Sequence, residues 1–489
     1  IGVRLVGSEM CIRDRYKKRI RLGFDGIVNS QDEAVLGLEY AKSCQNFAFE
    51  KGVINGKIGV DTASGYYAFP SVDRHAYPTF ASDKRIVKTF HYRKILGKTK
   101  YSDDRLVAIL ADGSVWYTTM FSEASKWTQL VDFYLTGDVE GVSYNYKSND
   151  VLLMSSSDDG LFIVNDSTVT YCTNAPKFTS IAVHNERVFG TVNGVSNQVW
   201  FSDDFDPANW KVSPTEAGYI SFADDLGKAI KVVSFLNYLY VFRDYGIFRL
   251  TAYGDQNDFI MKKVFTDTGR IYKDSIVLCG DKIMFCAEDG VYAFDGYDAV
   301  KVGKEFPLAK DKRETCAGYL ENKYYLACKV DEFGGDGNNA VVRYDTETKD
   351  VSVLSGVRVS SLCAVKTSNG ADLICTFQDG NKNKLGMMSE SGKIFDTATQ
   401  KVYKSPETML GYPLSKTVRG ASIFTKYPIE LDVIFDGKRY AFDVEGSDMQ
   451  RYVPIEKCGV RIAFEIKTAQ QNAHIAPMFV DVDVERSRL

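Results

Sequence analysis

The chain has 489 residues and a formal net charge of −4, with 45% hydrophobic and 13% aromatic residues. That length permits two or three domains with sizeable cores, and 29 tyrosines with 30 phenylalanines favour strands over helical bundles. A mildly acidic balance exerts no general pull on nucleic acid, and no apolar run reaches the roughly 18 residues that span a bilayer.

In chain order, residues 5–14 read LVGSEMCIRD. This string resembles a sequencing adapter translated in frame, so residues 1–15 are expected to be an assembly artefact outside the fold. Residues 16–83 are expected to form an N-terminal lead-in segment. Within it, residues 40–60 read as strand, Lys51-Gly52 turn and strand, a hairpin that completes or caps the following ring. Pro70 and Pro78 mark a linker into the first repeat.

Residues 84–396 carry the repeat. Seven apolar strands start at Arg105, Val151, Arg187, Tyr238, Lys282, Lys323 and Asp372, in steps of 36 to 51 residues. Residues 282–294, KIMFCAEDGVYAF, show the unit: alternating strand, Asp289-Gly290 turn, return strand. Asp112-Gly113, Asp159-Gly160, Tyr245-Gly246 and Asp379-Gly380 repeat the turn. One such hairpin cannot bury its apolar residues alone. A period of about 40–50 residues with several strands per repeat predicts an all-β fold, a β-propeller of six to seven blades.

Three loops in this region carry acids. Residues 200–210, WFSDDFDPANW, offer Asp203, Asp204 and Asp206 as weak candidates for a hard cation such as Ca²⁺; the alternative is a turn in which Asp and Pro set the backbone and Trp210 packs on a blade. Residues 156–160, SSDDG, partly resemble the Asp-box turn of sialidase-like propellers, which is structural. Residues 331–339, DEFGGDGNN, lack the full register and final Glu of an EF-hand loop and read as a solvated hairpin loop. The cysteines show no metal-ligand spacing; buried free thiols are expected, with Cys279/Cys286 and Cys363/Cys375 as conceivable cross-strand pairs.

Residues 397–420 hold Pro406 and Pro413 without alternation and are expected to be a linker. Residues 421–489 then show six short strands, a small C-terminal antiparallel β-sandwich. The last alternates Phe479, Asp481, Asp483 and Glu485 with Met478, Val480, Val482 and Val484, acids on the expected solvent face. The four histidines, His75, His91, His184 and His474, stand in unrelated contexts, and no HExxH, GxSxG, P-loop or Rossmann motif occurs. No catalytic, metal or cofactor residues are assigned, although a glycosidase carboxylate pair needs no sequence signature.

Two stretches carry a family resemblance. Asn46, Phe47, Phe49, Glu50, Gly52 and Gly59 resemble the N-F-x-x-E-D-G opening of phage virion proteins. Ser405, Gly411, Pro413, Lys416 and Arg419 resemble their S-x-x-T-x-x-G-x-P-x-x-K-T-x-R linker before a terminal sandwich. The layout is similar to β-propeller tail and head-completion proteins of tailed bacteriophages, of the nozzle or packaged-DNA stabilisation type. Residues 55–58, Asn-Gly-Lys-Ile, depart from the basic residues and Pro usual there. The resemblance implies a non-enzymatic virion protein made in the bacterial host cytoplasm. It implies a homo-oligomeric ring, adjacent portal or tail proteins as partners, and at most non-specific contact with packaged DNA. The alternative class is a carbohydrate-binding or glycan-processing propeller.

Overall fold

The computed structural model describes residues 15–28, 37–62, 67–69, 72–75, 84–94, 104–119, 127–254, 256–266, 269–302, 308, 314–367, 370–379 and 382–485. Residues 1–14 of the expected artefact 1–15 and most of the proline-marked linker lie outside them, whereas Arg15 opens the strand Arg15–Leu22 and pairs with Glu485. The chain divides into two compact units: residues 58–397, and residues 1–57 with 398–489.

The larger unit is a β-propeller of seven blades. The first blade comprises Ile86–Tyr92, Arg105–Leu110, Ser114–Thr119 and Thr128–Tyr134, paired in that order. Five more four-stranded blades follow, with first strands Val139–Tyr146, Phe178–His184, Ala229–Phe235, Val277–Cys279 and Cys316–Leu320. The seventh blade runs Val359–Thr367, Gly370–Asp379, Lys382–Ser389 and then Gly59–Thr62, a strand from before the first blade. Short strands Lys393–Ile394 and Thr397–Ala398 extend that sheet.

First strands line the axis and bond to one another. Thr89 Oγ1 lies 2.9 Å from Ser361 Oγ, joining blades one and seven. The Arg93 amide donates to Ser143 Oγ at 3.0 Å, joining blades one and two, and His184 Nδ1 lies 2.8 Å from Ser234 Oγ, joining blades three and four. All seven repeat strands recognised in the sequence are second strands. Their almost continuous burial, such as Leu152, Leu153 and Met154 or Ile283, Met284 and Phe285, comes from being covered on both faces by neighbouring blades.

The smaller unit is an antiparallel β-sandwich, but not a C-terminal one alone. One sheet orders Arg15–Leu22, Met478–Glu485, Lys416–Ile423 and Arg451–Gly459; the other orders Ser43–Gln45, Lys401–Lys404, Ile462–Thr468, Ile429–Phe435 and Lys438–Val444. Both sheets bury aliphatics, including Val418, Val480, Val482, Leu431, Val433 and Ile466. A third sheet pairs Ala48–Glu50 with Val53–Asn55 and His474–Ile475.

The expected 16–83 lead-in is therefore divided. Its hairpin belongs to the sandwich unit, and the strand just after it closes the propeller ring. The expected 397–420 linker carries strand at Lys401–Lys404 and from Lys416 onward, while residues 405–415 between them lie outside the strands. Lys401 and Lys416 hid it, because each turns a lysine side chain inward at 0% and 1% exposure, which reads as a polar break. Lys416 Nζ donates to the Val460 carbonyl, and Lys401 Nζ donates to Thr399 Oγ1 at 3.2 Å.

Candidate functional site

Six ionisable side chains converge on the propeller axis. Lys88 projects from blade one, Asp138 and Glu140 from the start of blade two, and Lys231 from blade four. Lys273 and Asp274 sit on the single-turn 3-10 helix Lys273–Ser275 before blade five. Lys88 Nζ lies 2.8 Å from Asp274 Oδ1 and 3.6 Å from Glu140 Oε1. Lys273 Nζ is 3.6 Å from both Glu140 Oε1 and Asp138 Oδ2, and also donates to the Thr179 carbonyl of blade three. Lys231 Nζ donates to the Ile276 carbonyl at 3.1 Å.

Charge decides the titration here. Burial pushes Glu140 and Asp274 upward, but the facing lysines outweigh it and hold both carboxyls below their ordinary values. Burial works against charge on Lys88, yet Asp274 and Glu140 raise it. Burial prevails at Lys231 and lowers it. Two cavities adjoin the cluster along the axis. Arg85 and Val87 line one of about 440 Å³, and Val87 to His91 line one of about 670 Å³, with Asp274 on both walls.

The residues singled out from sequence are distributed elsewhere. Asp203, Asp204 and Asp206 turn to separate tasks. Asp203 Oδ2 accepts from Asn209 Nδ2 at 3.1 Å, Asp204 Oδ1 meets Arg187 Nε at 2.8 Å, and Asp206 Oδ1 accepts from Tyr146 at 3.0 Å and the Ala208 amide at 3.0 Å. Trp210 is buried against Phe178, ring centroids 4.6 Å apart. In residues 156–160, Ser156 Oγ accepts the Asp158 and Asp159 amides, and Asp159 Oδ2 accepts the Thr136 amide at 2.6 Å. That turn ties blade one to blade two. Residues 331–339 are closed by Asn339, whose side chain pairs with both backbone groups of Val330.

The acidic ladder of the last strand is not a free solvent face. Asp481 lies opposite Arg19 and Asp483 opposite Lys17 in register, and Arg419 Nε donates to Asp483 Oδ2 at 2.7 Å while Asp483 is 5% exposed. All nine described cysteines are free thiols, so neither conceivable cross-strand disulfide forms. Among the described residues no group of three or more His, Cys, Asp or Glu is placed to hold a metal, and no helix is long and apolar enough to cross a membrane.

Sequence reasoning missed the axial cluster and a dyad beside it. His91 Nε2 lies 2.8 Å from Asp104 Oδ2, and Asp104 is fully buried. Hairpin register was the available signal for the dyad, since His91 pairs with Leu106 across the first turn. The cluster had none, because its members are spread from residue 88 to residue 274.

No protein-family model and no curated protein matches the chain. Among solved structures it is similar to BBS1N, crystallised in complex with ARL6DN and soaked with mercury. That similarity has 10% identity, covers 67% of this chain and 98% of that one, and gives a TM-score of 0.44.

Proposed function

We propose that the chain is a non-enzymatic structural protein of a tailed-phage virion, at the tail or head-to-tail junction, oligomerising into part of a DNA conduit or plug. The observation that carries the non-enzymatic half is the lysine pairing of the two inner carboxylates, with Lys88 Nζ 2.8 Å from Asp274 Oδ1 and 3.6 Å from Glu140 Oε1. A glycosidase acid needs a carboxyl raised toward neutrality so that it can donate a proton. Glu140 and Asp274 are instead held below the ordinary range by lysines, and remain ionised at neutral pH.

The virion half rests on the two resembling stretches. Their supporting feature is that, Gly59 apart, both fold into one module: the Asn46 side-chain amide donates to the Gln400 carbonyl at 2.8 Å, and Ser43–Gln45 pairs with Lys401–Lys404. Ser405 Oγ accepts the Phe464 amide and Arg419 bridges Asp483 and Glu456 in that same module. The sandwich is then the docking module for a neighbouring subunit or portal-type protein, and DNA contact is non-specific. Size exclusion with light scattering, on the chain from Tyr16 with and without a portal-type partner, tests this. A ring-sized oligomer, alone or with the partner, supports the reading; a monomer indifferent to the partner refutes it.

A further inference from the structure

The smaller axial cavity is rimmed by charged side chains. Its rim carries Arg85, just before the first strand of blade one, and Arg358, just before that of blade seven. Among the described residues neither guanidinium stands at ion-pair distance from a carboxylate. Of the two carboxylates in the lining, Asp274 is engaged by Lys88 at 2.8 Å, which leaves Glu314, on the lead-in to blade six, facing the two guanidinium groups.

Two further observations describe a built pocket. Thr315 is 3% exposed and lines the cavity, yet its Oγ1 has no hydrogen-bond partner; a buried hydroxyl left unpaired costs free energy unless something fills its place. The wall beside it is clamped, since the Asn338 side-chain amide donates to the Glu314 carbonyl at 2.8 Å and the Val359 carbonyl at 2.9 Å. Gly337 next to it has φ +69°, and a Cβ there would fall 2.6 Å from Glu314 Oε2 and 3.1 Å from Arg358 Nη2. Glycine is what lets the acid and the guanidinium approach the same rim.

We infer that this mouth of the axis binds a small hydroxylated molecule carrying an oxyanion, a sugar acid or a sugar phosphate. The planar guanidinium forks match a carboxylate or phosphate, while Thr315 Oγ1 and the Glu314 carboxylate answer the ligand's hydroxyls. The volume, about 440 Å³, lies within the range of small-ligand pockets. The inference does not depend on the virion assignment, and a ring or a monomer could carry the site alike.

Isothermal titration calorimetry on the full chain tests it with four probes: glucuronate, glucose 6-phosphate, inorganic phosphate and glucose. Saturable binding of glucuronate or glucose 6-phosphate, with none of glucose, is expected; which of the two binds separates carboxylate from phosphate. Arg358→Gln should weaken that binding at least about tenfold, and Arg85→Gln by a similar factor. Thr315→Val should weaken binding several-fold while leaving the melting temperature unchanged or higher, an outcome that a purely structural threonine would not give. The inference is overturned if neither anionic sugar binds at about 10 mM, or if glucose binds equally well. Inorganic phosphate matching the sugar phosphate, or the Arg85→Gln/Arg358→Gln double variant binding like the parent, overturns it too.

Discussion

Replacing Asp274 by Asn removes the one carboxylate that Lys88 touches at 2.8 Å. It leaves Lys88, Lys231 and Lys273 facing Glu140 and the more exposed Asp138. Stranding one member of a buried ion pair costs roughly 3–5 kcal/mol, whereas a fully exposed pair is worth roughly 0–1 kcal/mol. The Asp274 side chain is 41% and the Lys88 side chain 23% accessible to the water of the axial cavities. Solvent screening therefore brings the expected loss down to about 2 kcal/mol. At roughly 2 °C per kcal/mol for a body this large, the propeller transition should fall by about 4 °C at neutral pH.

The pH dependence has a definite sign. A carboxyl held below its ordinary value stabilises the fold at neutral pH and loses that contribution only as the pH falls through the lowered value. The gap between parent and Asp274→Asn should persist at pH 4, where an ordinary aspartate is about half protonated, and narrow in stronger acid. Thermal denaturation by circular dichroism at several pH values measures this, and a double-mutant cycle with Lys88→Met isolates the pair. Equal melting temperatures at neutral pH, or additive effects in the cycle, would refute the idea that these charges hold the axis together.

Other expectations follow from single contacts. Val60→Asp places a charge where Val60 is 1% exposed between Met388 and Ile394; it should release the closing strand, cost at least about 3 kcal/mol, and expose residues near 58–62 to limited proteolysis. Trp210→Ala should destabilise the propeller by about 3–5 kcal/mol in a denaturant melt, through the cavity left beside Phe178. Millimolar Ca²⁺ should leave the parent's melting temperature unmoved, because Asp203, Asp204 and Asp206 are committed to different partners. In a thiol titration with Ellman's reagent, exposed Cys458 should react at once. Cys172, Cys363 and Cys375, whose thiols burial pushes up to about 12, should wait for unfolding.

The second strand of every blade was legible because burial on both faces writes an apolar run that no turn residue interrupts, as in residues 282–287. First strands were hidden by function of position: facing the axis, they carry Lys88, Glu140 or Lys231 where an outer reading expects alternation. The strand Gly59–Thr62 has only four residues, and nothing local announces that its partner is Lys382–Ser389, more than three hundred residues away. The acid ladder 479–485 was seen correctly as period two. Its neutralisation by Arg19 and Arg419 depends on strands far apart in sequence, which periodicity does not encode.

The way both units close sets a timetable for synthesis. Gly59–Thr62 emerges early but has its place in blade seven only once residues 382–389 exist, and Arg15–Leu22 pairs with Met478–Glu485. Blades one to six can stack as they appear, since each contacts its sequence neighbours. The ring and the sandwich can only be finished after translation has passed their last strands, so a nascent chain must carry unpaired strand edges for most of its synthesis. Cellular chaperones have their longest opportunity during that interval, and a chain stopped before Met478 should accumulate as a soluble-to-aggregated intermediate with its propeller built and its sandwich open.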